Sequence, residues 1–220
     1  GRMISMTDGE GNTWKYTYDN ESRMTSVTDP LGGVASTAYD EVGRTSSTTA
    51  ANGATTSYTY DGVGNTTAVK DALGKSTKYA YDANGNRTSM TNRLGDTWKY
   101  TYDANNRLVS ETDALGGVTT YTYDELGNVT KTVTPGKAET AIEYDSMSRP
   151  VVVTNALGFG TRFAYDALGR VTTVTNPDGT SVSYTYNANG QVLTATNEMG
   201  GVVTYTYDAN GRVTSITDPM

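Results

Sequence analysis

A Tyr-Asp pair recurs every 21 residues along the whole of this chain, and a period held that strictly leaves few folds open. The pairs are Tyr18-Asp19, Tyr39-Asp40, Tyr60-Asp61, Tyr81-Asp82, Tyr102-Asp103, Tyr123-Asp124, Tyr144-Asp145, Tyr165-Asp166, Tyr186-Asn187 and Tyr207-Asp208, ten units in 220 residues without an insertion. Each unit is therefore one supersecondary element that becomes stable by stacking on its neighbours. Residues 1-220 read as a single array of about ten 21-residue units. Gly1-Arg2 aligns with the middle of a unit (compare Gly211-Arg212), which gives the expectation that the array is a piece of a longer protein.

Every unit carries two turn signals of the same kind. One follows the tyrosine, as in Asp40-Glu41-Val42-Gly43 and Asp166-Ala167-Leu168-Gly169; the other lies half a period later, as in Asp29-Pro30-Leu31-Gly32 and Asp113-Ala114-Leu115-Gly116. Asp or Asn at the first position can accept a hydrogen bond from backbone two residues on, and Pro at the second presets φ. Gly at the fourth supplies the left-handed residue of a bulged hairpin. Ser22, Asn106, Ser148 and Lys137 stand where that glycine is usual.

Between the turns lie short runs rich in Thr, Val, Tyr and Ser, the composition of strands. In one run the tyrosines alternate, as in Tyr16-Thr17-Tyr18 and Tyr121-Thr122-Tyr123, so both fall on one face. In the other, apolar residues follow the Arg by one and four positions: Met24 and Val27, Val171 and Val174, Val213 and Ile216. A spacing of three does not lie on one face of a regular strand, so either a bulge intervenes or the strand is apolar on both faces. The predicted fold is all-β: tandem hairpins in a continuous antiparallel meander of about 20 strands. At about 4.8 Å per strand such a ribbon would be on the order of 95 Å wide, and sheets of that size curl or split.

Composition decides between those two. Only 35% of the residues are apolar and 17 of them are tyrosine; beyond valine and alanine the large core formers are nine Leu, three Ile and two Phe, beside two Trp and seven Met. Splitting needs two apolar faces to sandwich. Curling into a tube or spiral with a wide, largely polar interior is the expectation that remains. The segment Trp14 to Asp19 recurs at Trp98 to Asp103, an 84-residue echo that we read as duplication of a four-unit block.

The same inventory narrows function. Histidine and cysteine are absent, so the commonest general base, the strongest nucleophile, disulfides and thiolate metal sites are all missing. The carboxylates recur as turn residues in equivalent copies, unlike a single pre-organised active site; no enzyme and no cofactor are expected. Asp82-Ala83-Asn84-Gly85 resembles a calcium loop, but most other units carry Leu, Val or Met at the third position and a calcium site wants six to eight oxygens. A hairpin turn accounts for the pattern. The net charge of −7, with both signs interspersed, points away from nucleic acid, and no run approaches the length of a membrane-spanning helix.

The tyrosine rows could stack on sugar rings, but cross-strand packing of units accounts for residues that recur in every unit. Trp14 and Trp98 are the better candidates for a local ligand contact. The Arg after the turn (Arg2, Arg23, Arg44, Arg107, Arg149, Arg170, Arg212) gives way to Asn65, Asn86, Asn128 and Gln191. The position therefore needs hydrogen bonding more than charge, and a contact to Asp or Tyr of an adjacent unit is the preferred role.

The run Tyr-Asp-x-x-Gly-Arg, then Asp-x-Leu-Gly, then Tyr-x-Tyr-Asp resembles the YD repeat, or RHS repeat, of bacterial Rhs and Tc toxins, wall-associated proteins and teneurins, over the entire chain. The resemblance implies a hollow β-shell, which in toxins encloses an effector and in teneurins belongs to an adhesion ectodomain. It implies a structural segment of a bacterial secreted or surface-displayed protein. Its partners would be the remaining repeats and a cargo or effector domain of the same parent chain; the different-class reading is a glycan-binding, adhesin-like module. The divergent core sequence at which toxin shells cleave themselves is not found, so no cleavage role is carried over. Exposed edge strands give the further expectation of edge-to-edge self-association.

Overall fold

The computed structural model describes residues 1–218, which form twenty-one antiparallel strands of one sheet and no helix. The strands are of two alternating kinds. Tyrosine strands are six residues long and end on the Tyr of each Tyr-Asp pair: β2 (Thr13–Tyr18), β4 (Val34–Tyr39) and so on to β10 (Thr97–Tyr102), then β12 (Val118–Tyr123) to β20 (Val202–Tyr207). Return strands follow the Arg position: β1 (Ser5–Thr7), β3 (Met24–Thr28) and so on to β21 (Val213–Thr217).

Two compact units divide the chain, Gly1–Asn106 with Glu111–Gly116, and Arg107–Ser110 with Gly117–Met220. In the first, β1 to β10 pair in chain order. In the second, β12 to β21 do the same.

The spacing of three is resolved by a bulge. Thr17 lies opposite Ser26 and Tyr18 opposite Met24, so Thr25 is skipped in the register with β2. The extra residue shifts the pleat by one, and Met24 joins Val27 on the face of Tyr18 and Tyr16. The same slip occurs in the second unit, where Phe163 and Tyr165 face Val174 and Val171. One face of each hairpin thus carries aromatic and apolar cross-strand pairs, the unit of sheet stabilisation.

Among the described residues, none reaches the burial of a protein interior. The tyrosine face is half-buried by its own side chains, as the burial pattern of β12 and β20 illustrates, with every second residue shielded. The apolar residues at the third turn position do not contribute: Leu31 and Leu115 are each 97% exposed and Met199 is 94% exposed. The thin apolar inventory is thereby divided between one sheet face and exposed turn tips.

Candidate functional site: the tyrosine edge

At the edge where tyrosine strands turn into return strands, one arrangement repeats. In the turn after Tyr39, the Asp40 N–H donates to the Arg44 carbonyl at 2.8 Å and the Gly43 N–H to the Asp40 carbonyl at 3.0 Å. The Asp40 carboxylate closes the loop: Oδ1 accepts the N–H of Val42 at 3.1 Å and of Arg44 at 2.8 Å, and Oδ2 accepts Nε of Arg44 at 2.7 Å. Asp19 with Arg23, Asp145 with Arg149 and Asp166 with Arg170 repeat that ion pair.

The fourth turn residue is left-handed throughout. Among the described residues the non-glycines with positive φ are Ser22 (71°), Asn106 (61°), Lys137 (63°) and Ser148 (60°), the four positions at which the sequence departs from glycine. Local backbone therefore dictates the glycine, and the departures keep the conformation at a steric cost.

Each of Arg2, Arg23, Arg44, Arg107, Arg149 and Arg170 then reaches sideways. Its guanidinium lies over the Tyr ring 16 residues on, with Arg44 4.5 Å from the Tyr60 centroid, Arg149 4.6 Å from Tyr165 and Arg170 4.5 Å from Tyr186. Nη1 of Arg44 donates to the Asp61 carbonyl at 3.0 Å and that of Arg170 to the Asn187 carbonyl at 3.1 Å. The lateral contact is thus to a ring and a carbonyl of the next unit, while the carboxylate contact stays inside the Arg's own turn. That separates two roles that the sequence left together.

Where Arg is replaced, hydrogen bonding is kept and the charge is not. Asn128 Nδ2 donates to Asp124 Oδ2 at 2.8 Å and to the hydroxyl of Ser148 in the next turn at 3.0 Å. Asn86 Nδ2 does the same with Asp82 at 3.0 Å and Asn106 at 2.7 Å. Asn187, the one neutral member of the Asp row, donates its amide to Gln191 Oε1 at 2.6 Å, and Gln191 reaches the Gly211 carbonyl at 2.9 Å.

The tyrosine hydroxyls complete the edge. In all ten units the Tyr of the Tyr-Asp pair donates to the carbonyl 15 residues earlier: Tyr18 to Met3, Tyr39 to Met24, Tyr60 to Thr45, Tyr81 to Thr66, Tyr102 to Arg87, Tyr123 to Leu108, Tyr144 to Val129, Tyr165 to Pro150, Tyr186 to Val171 and Tyr207 to Val192, at 2.6 to 3.1 Å. For Tyr39, Tyr60, Tyr81, Tyr102, Tyr144, Tyr165, Tyr186 and Tyr207 the acceptor is the first residue of the bulge in the preceding return strand. β3 and β4 pair over only three residues, Ser26 to Thr28, so the Met24 carbonyl lies beyond their ladder. The hydroxyl supplies the partner that the backbone does not. Sequence reading missed this acceptor, although the spacing that demanded a bulge was the signal for it.

Electrostatics follow the same geometry. The Asn128 side chain, outweighing the effect of burial, holds the Asp124 carboxyl below the usual carboxylate range, as Asn86 does for Asp82. Burial pushes Asp40 up, but the side-chain and backbone hydrogen bonds of Arg44 more than reverse it. Burial raises the Tyr102 phenol.

The two tryptophans lie elsewhere. Trp14 sits opposite Met6, and Trp98 opposite Met90, each half-buried on the tyrosine face. They stand on β2 and β10, with seven strands between them in pairing order, so they are not brought into one site. Among the described residues no group of His, Cys, Asp or Glu has the arrangement of a metal site, and no helix is long and apolar enough to cross a membrane.

Two family models match the sequence: the Teneurin YD-shell over residues 94–218, and the RHS Repeat over residues 1–34, 39–65 and 60–97. No curated protein matches the chain. Among solved structures, the crystal structure of TcdB2-TccC3 without its hypervariable C-terminal region is similar with a TM-score of 0.64 at 17% identity, over 97% of this chain and 13% of that one. The Tc holotoxin pore of Photorhabdus luminescens matches with a TM-score of 0.46 at 16% identity, over 97% of this chain and 16% of that one. The chain therefore spans about an eighth of the first of these, and the likeness is one of fold.

Proposed function

The chain belongs to the YD-shell family of RHS-repeat proteins, and from that membership we propose that it is a non-enzymatic stretch of shell wall that encloses a cargo or effector polypeptide in a larger bacterial secreted or surface protein. The observation that carries the proposal is the unbroken row of ten tyrosine hydroxyl bonds from unit to unit. These polar groups are engaged in joining one hairpin to the next. Arg44, Arg149 and Arg170 share that task through the ring of the next unit, while the Asp carboxylates are engaged in closing their own turns.

A wall of this kind acts by geometry. A sheet one layer thick with a polar second face can surround an unfolded or reactive polypeptide without offering it an apolar surface to stick to. The partners it implies are the neighbouring repeats and the enclosed segment of the same parent chain.

Small-angle X-ray scattering with mass determination on the same sample tests the proposal. A strongly curved or hollow particle is expected; a compact, filled globule would overturn it. Glycan-array binding abolished by Trp14→Ala or Trp98→Ala would instead make the protein a carbohydrate-binding module.

A further inference from the structure

We propose that the tyrosine face carries, across β3, β4 and β5, a binding pocket for one phenolic ring. The cause is a local change in the repeat. Where neighbouring repeats set Tyr16 against Val27, Tyr58 against Val69 and Tyr79 against Met90, β4 and β5 set Thr37 against Thr48. Farther along, Tyr121, Ile142, Phe163, Tyr184 and Tyr205 hold the place of Thr37. Among the described pairs at this register, Thr37 with Thr48 is alone in having neither a ring nor a hydrocarbon side chain.

A cavity of about 240 Å³ results, with Met24, Val27, Ala35, Thr37, Thr48 and Ala50 in its lining. For scale, about 150 Å³ holds a benzene ring. Ala35 lies opposite Val27 at the repeat position that carries Trp14 in β2 and Trp98 in β10, so the smallest side chain of that row adjoins the missing ring. Val27, Ala35, Thr37 and Thr48 are half-buried and form the floor, while Met24 and Ala50 are exposed at the rim.

The walls are held ready for a ligand. Tyr39, on the same strand as Thr37, donates its hydroxyl to the Met24 carbonyl at 2.9 Å, and the Arg23 guanidinium lies 4.6 Å from the Tyr39 centroid. β3, β4 and β5 are each paired on both sides. Little has to be ordered on binding, which lowers its cost. Val27, Ala35 and Ala50 offer hydrocarbon to the face of a ring, and Met24 is a flexible thioether of the kind that packs against aromatic edges. The hydroxyls of Thr37 and Thr48 stand where other repeats have a ring and an aliphatic chain, and they select a phenol over a plain hydrocarbon. The repeat itself shows what the site accepts, since tyrosine fills this place in seven of the other nine repeats. The pocket lies apart from the lock at the tyrosine edge and does not depend on whether the wall encloses a cargo.

Titration of p-cresol, the tyrosine side chain without its backbone, into the isotope-labelled full chain tests the proposal by NMR. Saturable shift changes confined to β3, β4 and β5 are expected, with a dissociation constant on the order of 1 mM, the range for a ligand of so few atoms. Thr37→Tyr and Ala35→Trp each copy a side chain that the same repeat position carries elsewhere in the chain, and each is expected to weaken binding by about tenfold or more. No saturable shift, shifts spread over the tyrosine strands of other repeats, or undiminished binding by either variant would overturn the proposal.

The melting temperature gives a second readout. Thr37→Tyr restores an aromatic cross-strand contact and is expected to raise it by about 2 to 4 °C. p-Cresol is expected to raise that of the unmodified chain and to leave that of Thr37→Tyr in place. A melting temperature unchanged or lowered by Thr37→Tyr would mean that the site is not shaped for a ring and would equally overturn the proposal. N-acetyl-tyrosinamide separates the two sources of such a ring. Binding at least as tight as that of p-cresol assigns the pocket to a tyrosine of a polypeptide, and binding of p-cresol alone assigns it to a free phenol.

Discussion

The two rows of turns share a backbone and differ in almost everything else. At the tyrosine edge the Asp166 N–H donates to the Arg170 carbonyl at 2.9 Å and the Gly169 N–H to the Asp166 carbonyl at 3.0 Å; at the opposite edge Asp29 and Gly33, then Gly32 and Asp29, make the same two bonds at 2.9 and 3.0 Å. The tyrosine edge adds a repeating lateral lock of ring, guanidinium and hydroxyl. At the opposite edge the described lateral contacts are particular to one place each, such as Arg93 with Asp71 at 3.5 Å and Asn176 with Glu198.

Hairpin geometry is thus required twice per unit, but attachment between units is concentrated on one side. The opposite edge can vary accordingly. Thr134-Pro135-Gly136-Lys137 lacks both the carboxylate and the turn glycine, yet Thr134 and Ala138, and Lys137 and Thr134, each bond at 2.9 Å.

The comparison is broken most sharply by removing one ring. Tyr165→Ala loses the Arg149 stacking, the hydroxyl bond to Pro150 at 2.7 Å and the pairing with Val171. A loss of about 2 to 3 kcal/mol in urea unfolding followed by circular dichroism is expected, below the range for truncating a fully buried aromatic because the ring is half-buried. Leu157→Ala, on a turn tip that is 80% exposed, is expected to change stability by less than about 0.5 kcal/mol. Equal losses would mean that the two edges hold the array alike.

Next in size is the response to acid. The carboxyls of Asp61, Asp82, Asp124, Asp145 and Asp166 titrate below their usual range because the side chain four residues on donates to each of them. A carboxyl depressed on folding contributes stability that is complete above its unfolded pKa and is lost as pH falls through the folded one. The melting temperature is therefore expected to hold steady down to about pH 5 and to fall below about pH 4. Asp166→Asn with Arg170→Gln, which copies the Asn187 and Gln191 pair, is expected to shallow that fall. An unchanged slope would show that the carboxylates contribute nothing specific at this edge.

A smaller effect isolates the hydroxyl. Tyr165→Phe keeps the ring and is expected to cost about 1 kcal/mol, since it leaves the Pro150 carbonyl at the bulge without its donor. No measurable cost would place the lock in ring packing alone.

How much of this was legible follows from what each feature repeats. Turn residues act locally, so Asp40 and Gly43 announce their conformation in four letters, and the departures at Ser22, Asn106, Lys137 and Ser148 were visible as such. The alternation of Tyr16 with Tyr18 gave the shared face, and the spacing of Met24 from Val27 narrowed the return strand to two possibilities that only the register separates. The Tyr39 hydroxyl bond to Met24 was not legible, because its acceptor is a backbone atom with no residue identity and depends on the bulge. The pairing of Trp14 with Met6 and of Trp98 with Met90 was open to the same limit: a side chain that packs and one that binds a ligand use the same letter.

The smallest effect separates the edges at a single backbone angle. Lys137 and Asn106 hold the same turn position with φ of 63° and 61°, one on each edge. Lys pays the full left-handed penalty, so Lys137→Gly is expected to stabilise by about 0.5 to 1 kcal/mol after glycine's greater unfolded freedom is counted. Asn tolerates that region better, and its Oδ1 accepts Nδ2 of Asn84 at 3.0 Å and of Asn86 at 2.7 Å from the preceding turn. Asn106→Gly relieves little strain and cuts a tie between units, so a loss of about 0.5 kcal/mol is expected. Opposite signs for one substitution at one angle would locate the difference in what the side chain reaches sideways, and matching signs would reduce both edges to their backbone alone.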